Sequence, residues 1–157
     1  MTYSNDKTLN ILVANGVNLD LLGKREEDIY GCFDLQYLES YLDKLSKSYL
    51  AIFPFKRINL HFYQTNCEAE YLEKISQQWD AVILNPGAWT HTSIALADRL
   101  KALRLLFIEV HISNIFQRES FRKVSYCSSS AHAIISGAGH TSYGAALFTI
   151  LDTLKQG

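Results

Sequence analysis

Apolar and polar positions along the chain follow two alternating regimes. Short, nearly continuous apolar runs are separated by longer stretches in which apolar residues recur every three or four positions. Leu9 to Ala14 is apolar except for Asn10 and reads as a first strand. Phe33 to Tyr49 carries Leu35, Leu38, Leu42, Leu45 and Tyr49 at helical spacing, with Asp34 placed to cap the helix. Arg57 to Tyr63 alternates apolar and polar, the pattern of a strand exposed on one side and so at a sheet edge. Glu68 to Trp79 puts Tyr71, Leu72, Ile75 and Trp79 on one helical face. Asp80 to Leu84 reads as strand three. Ser93 to Leu103 reads as a helix with Ile94, Ala97, Leu100 and Leu103 turned inward. Leu105 to Val110 and Ala133 to Ser136 complete the strands, and Gly139 to Lys155 closes the chain as a helix.

The order is therefore βαβαβαβ, a long loop, then βα. Continuous apolar strands with helices between them predict an α/β fold built on a parallel sheet covered on both faces. Right-handed crossovers and five strands suit a flavodoxin-like, doubly wound sheet of order 2-1-3-4-5. The expectation is a single domain over residues 1–157, with residues 1–8 as a flexible N-terminal segment. Two connections, Asn15 to Cys32 and His111 to His132, are too long to be simple turns, and long loops in compact domains tend to carry function.

Composition narrows the picture. At 157 residues with 48% hydrophobic and 20% charged residues, the chain can build its own core without staples. A formal net charge of −1 gives no electrostatic footprint for nucleic acid or an acidic membrane. The three cysteines are widely spaced with no CxxC pair, which argues against a disulfide framework or zinc site and suits a reducing cytoplasm. Met1 to Lys7 is polar, unlike a signal peptide, and no apolar run reaches the length of a membrane span. The five histidines show no HxxxH spacing, so no metal is expected.

Ligands of such sheets bind beyond the carboxyl ends of the strands, near the switch point between strands one and three. Polar groups fall there together: Asn15 and Asn18 after strand one, Asn85 after strand three, Glu109 and His111 at the end of strand four. Each alone reads most simply as a turn or capping residue; three adjacent strand ends doing this together point to a site. Glu109 and His111, two apart on a strand, point the same way, and a carboxylate can fix a neighbouring imidazole's tautomer. A buried structural pair has the same spacing. Gly23 to Gly31 is a charged run bounded by glycines, either a solvated loop or a hinged lid carrying Arg25 and Tyr30. Thr92 or Ser93 is placed to cap the helix that begins at Ser93, after strand three, and His91 alone reads as a surface histidine. Gly137-Ala138-Gly139-His140-Thr141-Ser142 follows the last strand, so tight strand-to-helix packing explains it better than dinucleotide binding.

Taken together, the motifs resemble the type II 3-dehydroquinate dehydratases. The segments that carry the likeness are Asn15-Gly16-Val17-Asn18-Leu19-Asp20-Leu21-Leu22-Gly23, Arg25-Glu26, Ile29-Tyr30-Gly31, Gln64-Thr65-Asn66 with Glu68, and Asn85 to Ser93. Glu109 to Asn114, Arg118-Glu119, Phe121-Arg122 and Ser125-Tyr126 extend it, in order, from about Leu9 to Leu154. The chain departs from the family pattern at Val17 and Glu27, where proline is usual. It departs also at Asp20, often asparagine, at Ser142, usually glycine, and at Trp89, more often tyrosine or leucine.

The resemblance implies dehydration of 3-dehydroquinate to 3-dehydroshikimate in the shikimate pathway, by anti elimination through an enolate and with no cofactor. It makes Tyr30 the base at carbon 2, Arg25 the cation that favours its anion and the enolate, and Asn18 the holder of a water at the enolate oxygen. His111 becomes the acid at the departing hydroxyl and Glu109 its orienting carboxylate. Asn85, His91 and Arg122 match binders of substrate hydroxyls, and the backbone amides of Ile112 and Ser113 a carboxylate cradle. Arg118 matches a second basic residue near the tyrosine, and Asp98 a pocket residue supplied by a neighbouring subunit. The lid spans about residues 19–31, and the assembly is a dodecamer of four trimers. Other readings of the same fold are a lyase or isomerase for another hydroxylated cyclic acid, and a receiver or flavin-binding module. A receiver would want clustered acids after strand one; a flavin site would want a Ser/Thr-rich loop there. Neither is present between Asn15 and Gly23.

Overall fold

The computed structural model describes residues 6–24 and 27–156. Five parallel strands form one sheet in the order β2-β1-β3-β4-β5. They are β1 (Thr8–Asn15), β2 (Arg57–Gln64), β3 (Ala81–Asn85), β4 (Phe107–His111) and β5 (Ala133–Ser136). Six α-helices join or follow them: α1 (Glu27–Tyr30), α2 (Leu35–Tyr49), α3 (Glu68–Ile75), α4 (Trp89–Thr92), α5 (Ile94–Leu103) and α6 (Thr141–Leu154). The strand order is the expected flavodoxin-like one, with β2 and β5 at the edges. The two long loops are not structureless. They contain α1 and the 3-10 turns Leu19–Leu21, Ile115–Gln117, Ser120–Lys123 and Ser128–Ser130.

Period-two alternation divides the strand side chains between two cores. Leu9, Ile11 and Val13 of β1, Ile83 of β3 and Ile108 and Val110 of β4 pack beneath α2 and α6, with Leu38, Leu42, Leu147 and Ile150. Leu12, Ala14, Val82, Leu84 and Phe107 pack on the opposite face beneath α3 and α5, with Tyr71, Ile75, Leu96 and Leu100. The three central strands are thus buried on both faces, which explains their nearly unbroken apolar runs. Each buried aliphatic side chain contributes about 1.5–3 kcal/mol.

Asp34 caps α2 as expected, its carboxylate accepting from the Tyr37 N–H at 2.7 Å. Ser93, rather than Thr92, caps α5 by accepting from the Leu96 N–H at 2.9 Å. Two helix readings need correction. Ile94, expected inward, is 63% exposed. A stripe drawn at 94, 97, 100 and 103 drifts backwards around the helix, so its two ends lie about 180° apart; the buried stripe is instead Leu96, Leu100 and the half-buried Leu103. Helix α3 ends at Ile75, not Trp79. Ser76 Oγ donates to the Leu72 carbonyl, and both Gln77 N–H and the Trp79 indole N–H donate to the Lys74 carbonyl. These groups satisfy the terminal carbonyls and turn Trp79 onto the core from outside the helix.

The carboxyl edge of the sheet is drawn tight where β1 and β3 end. Asn15 is in register with Asn85 and with Gln64, and His111 with Ser136. Beyond that level Gly16 donates its N–H to the Asn85 carbonyl at 2.8 Å. A Cβ on Gly16 would lie 2.4 Å from the Pro86 carbonyl oxygen, and one on Gly87 (φ 63°) would lie 2.6 Å from the Val17 carbonyl oxygen. Only glycine lets these two backbones cross so closely. No described acceptor takes the Val17 N–H, so valine where the resemblance expects proline changes no hydrogen bond there. Gly16→Ala is expected to destabilise the fold by about 1–3 kcal/mol, because the obstruction is backbone rather than a movable side chain. A urea midpoint unchanged from wild type would show that the crossing can relax at little cost.

Candidate active site

Strand β4 supplies the rigid part of the site. Glu109 and His111 project to the same side, and His111 Nε2 lies 2.7 Å from Glu109 Oε1. Glu109 is fully buried. An isolated carboxylate there would be strongly disfavoured, but this one also receives the Thr90 hydroxyl at 2.6 Å and the Ser125 hydroxyl at 2.7 Å. Ser125 Oγ accepts the backbone N–H groups of Cys127 and Ser128, which leaves its own proton for Glu109. Burial by itself would raise the Glu109 carboxyl, but the bonds from His111, Thr90 and Ser125 outweigh it and hold the group below the usual carboxylate range. An ionised Glu109 can only accept, so His111 presents its Nε2–H to it. Nδ1 is then the ring nitrogen available to a ligand. Beside this cradle the Cys127 thiol is pushed up to about 12, first by burial and then by the Glu109 charge.

Helix α4 carries Thr90 and His91 to the same place. His91 Nδ1 donates to the Val124 carbonyl at 2.7 Å, and its ring lies nearly parallel to that of His111, 6.2 Å away. Burial, aided by the nearby His111 and Arg122 charges, lowers the His91 pKa despite the opposing pull of the Val124 carbonyl. A neutral His91 therefore offers Nε2 as an acceptor. The reading of His91 as a surface histidine is corrected: it is half-buried and lines the cavity.

Tyr30 ends α1 and is only 9% exposed, although the residues before it, Asp28 and Ile29, face solvent. Arg118 Nη1 donates to the Tyr30 phenolic oxygen at 2.7 Å. Its guanidinium carbon also lies 5.4 Å from the centre of the ring. Glu119 sits between Arg118 and Arg122, 3.6 Å from the Nε of the first and 3.0 Å from that of the second. Both arginines line the cavity between these elements. Arg25 lies outside the described residues.

A compact cavity of about 90 Å³ joins these elements. Asn18, Tyr30, Asn85, His91, His111, Ile112, Ser113, Arg118 and Arg122 all line it. It opens beside a broader groove of about 870 Å³, which shares Tyr30, Ile112, Ser113 and Arg118 with it. No described protein acceptor takes the N–H of Ile112 or Ser113, so two backbone donors at the end of β4 are available to an anion. The Asn18 side-chain amide likewise bonds to no described protein group. Asn85 is more committed: its Nδ2 donates to the Tyr143 hydroxyl at 2.7 Å and its Oδ1 accepts from Gly87 at 3.1 Å. Its second amide hydrogen is what a ligand could use. Asp98 does not line this cavity; it is exposed on α5.

Sequence reasoning gave no role to Thr90, Ser125 or Tyr143. Tyr143 passes a hydrogen bond from Asn85 to Asn15, its hydroxyl donating to Asn15 Oδ1 at 2.7 Å, and so locks the ends of β1 and β3 together. Within α6 its spacing is that of a core residue, and only the hydroxyl distinguishes it. Ser142, where the resemblance expects glycine, is buried and accepts the Ala138 N–H at 3.1 Å, tying the preceding turn to α6. That turn packs against the end of β4, with Gly137 and Gly139 donating to the carbonyls of His111 and Ile112. Among the described residues no group of three or more His, Cys, Asp or Glu side chains is arranged to hold a metal ion. Among them, too, no helix is long and apolar enough to cross a membrane.

The family model for Dehydroquinase class II matches residues 9–151. A 3-dehydroquinate dehydratase of Prochlorococcus marinus subsp. pastoris is 45% identical over 150 residues, covering 94% of this chain and 98% of the relative. One from Buchnera aphidicola subsp. Cinara cedri is 41% identical over 154 residues, covering 96% and 97%. Among solved structures, the type II dehydroquinase of Butyrivibrio crossotus superposes with a TM-score of 0.83 at 36% identity, over 91% of this chain and 97% of that one.

The depressed Glu109 carboxyl has a consequence for stability. Its folded pKa lies below its unfolded one, so the stabilisation from its ionised form is complete above the ordinary carboxylate range and is lost as pH falls through the folded value. Glu109→Gln is expected to lose about 1–3 kcal/mol at neutral pH. The gap from wild type, followed by urea unfolding, should narrow as the solution is acidified. A gap constant down to acid unfolding would mean that the buried group is not held as a carboxylate.

Proposed function

The chain belongs to the dehydroquinase class II family, and we propose that it removes water from 3-dehydroquinate in the cavity at the carboxyl edge of its sheet. That membership replaces the receiver, flavin-module and alternative-lyase readings. The observation that carries the assignment of roles is that one cavity is lined by both His111, oriented by the buried Glu109 behind it, and Tyr30, held by Arg118. A base and an acid on separate elements suit an elimination in which one proton leaves carbon and another is delivered to oxygen.

In this proposal Tyr30, as phenolate, takes the proton from carbon 2, which the adjacent ketone acidifies. Arg118, already against the phenolic oxygen, supports the anion, with Arg25 as its partner. The enolate charge is met by Asn18 through a held water. The substrate carboxylate rests on the N–H groups of Ile112 and Ser113, and its hydroxyls on Asn85, His91 and Arg122. Collapse of the enolate breaks the bond to the tertiary hydroxyl, a poor leaving group until His111 Nδ1 protonates it. Water and 3-dehydroshikimate, a conjugated enone, are the products. The positive charge that His111 carries before transfer lies against the ionised Glu109. We assign residues 19–31 the part of a lid, with Gly23 (φ 78°) and Gly31 (φ 84°) as its candidate hinges and the buried Leu19 and Leu22 as its anchor.

Formation of the enone absorbance on mixing with 3-dehydroquinate tests the activity. Tyr30→Phe is expected to lower turnover by at least about 10²-fold with the fold intact by circular dichroism. His111→Ala should lower turnover with little change in KM, since it acts on the leaving group alone. A folded Tyr30→Phe enzyme with near-normal turnover would make another group the base.

We also propose that the site is completed by a neighbouring subunit through Asp98, in a dodecamer of four trimers. Phe116, Phe121, Val124 and Tyr126, beside the site, are each more than 40% exposed, an apolar area suited to burial by a second copy. Light scattering is expected to find the large oligomer, and a fully active monomer would end this proposal. No disulfide joins the described cysteines, which supports the cytoplasm as the compartment; recovery of the protein outside it on cell fractionation would overturn that placement.

A further inference from the structure

Asn18 is one of two described non-glycine residues with positive φ, at 66°. Its conformation turns the chain after β1 so that its side chain lines the cavity, and something must hold it there. Its own backbone N–H donates to Asn66 Oδ1 at 2.8 Å. Asn66 follows β2, is exposed, and does not line the cavity. Gln64 Nε2 donates to the same Oδ1 at 3.2 Å and to the Gly16 carbonyl at 3.2 Å.

The donor logic of this cluster leaves one arrangement. The Gly16 carbonyl can only accept, so Gln64 must present its NH2 group to it. The Asn18 amide can only donate, so Asn66 must present its oxygen, which then receives the second hydrogen of Gln64. The turn that bears Asn66 is itself fixed. Thr65 donates its N–H to the Asn15 carbonyl at 3.2 Å, while its hydroxyl accepts the Cys67 N–H at 3.0 Å and donates to Glu70 at 2.8 Å. Edge strand β2 thus grips the β1 loop at Asn15, Gly16 and Asn18.

We propose that Asn66, braced by Gln64, is a positioning residue for Asn18, holding its backbone in the left-handed conformation that brings the side-chain amide to the enolate side of the cavity. This builds on the role given to Asn18 above. Asn66→Ala removes the acceptor and is expected to lower turnover about 10- to 100-fold with little change in KM, the effect of a displaced donor rather than a lost binding contact. Asn66→Asp keeps an acceptor for both donors and should restore most of the turnover. In an Asn18→Ala background, Asn66→Ala should add nothing further. Should Asn66→Ala not fold, Gln64→Met gives the same reading, with a smaller loss that also vanishes in the Asn18→Ala background. Normal turnover in Asn18→Ala itself would remove the role of Asn18. An impaired Asn18→Ala beside a normal Asn66→Ala, losses that multiply in the double variant, or failure of Asn66→Asp to rescue would each overturn the positioning role while leaving Asn18 in place.

Discussion

The site depends on keeping one carboxylate ionised inside the sheet. Glu109 is fully buried on a central strand, where an unpaired charge would be several kcal/mol out of place. Its three partners come from three parts of the chain: His111 from β4, Thr90 from α4 and Ser125 from the loop before β5. Satisfying Glu109 therefore gathers those parts. The grip is reinforced by backbone bonds on either side, with Tyr126 donating to the Thr90 carbonyl at 2.8 Å and His91 to the Val124 carbonyl. The orientation of His111, the placement of His91 and the course of the loop bearing Arg122 all follow from one electrostatic requirement.

A second constraint is the register of the sheet. Because Gln64, Asn15 and Asn85 sit side by side on β2, β1 and β3, their side chains form a polar row at the level where the apolar strands stop. Tyr143 joins two members of that row from beneath, through a hydroxyl whose own ionisation burial makes unfavourable. The row converts the end of the hydrophobic core into a floor for the cavity. Gly16 and Gly87 then let the two outgoing loops cross directly above it, which brings Asn18 and α4 within reach of a common ligand.

How much of this could be read in the sequence follows the range of the interactions. The strand order, the edge position of β2 and the Asp34 and Ser93 caps rest on local pattern, and those signals are strong. The convergence of Asn18, Asn85, Glu109 and His111 was legible because strand ends share a level in any such sheet. Ile94 was misplaced because a repeated spacing of three is not a helical face. Trp79 was misplaced because a side-chain capping bond to Lys74 ends the helix early. Thr90, Ser125 and Tyr143 were missed for a different reason. Their work is done by one hydroxyl each, across separations of 16 to 128 residues, and no periodicity marks a hydroxyl that has a distant partner.

The two halves of the proposed chemistry stand on different kinds of element, each held by a charged partner. The acid must hold one ring orientation before substrate arrives, so it stands on a central strand whose neighbours are fixed by the sheet and by Glu109. The proposed base stands instead on a short helix that ends beside Gly31, a glycine of positive φ, and its ring is buried. Arg118 bridges the two. It issues from the loop that follows β4, its Nε lies 3.6 Å from Glu119, and its Nη1 meets the Tyr30 oxygen. A cation on the loop after β4 thus gives the tyrosine a defined contact. That contact is ion–dipole while the phenol is neutral, and it strengthens to an ion pair when the phenol ionises and water is excluded. On this arrangement Arg118 orients the proposed base as well as supporting its charge.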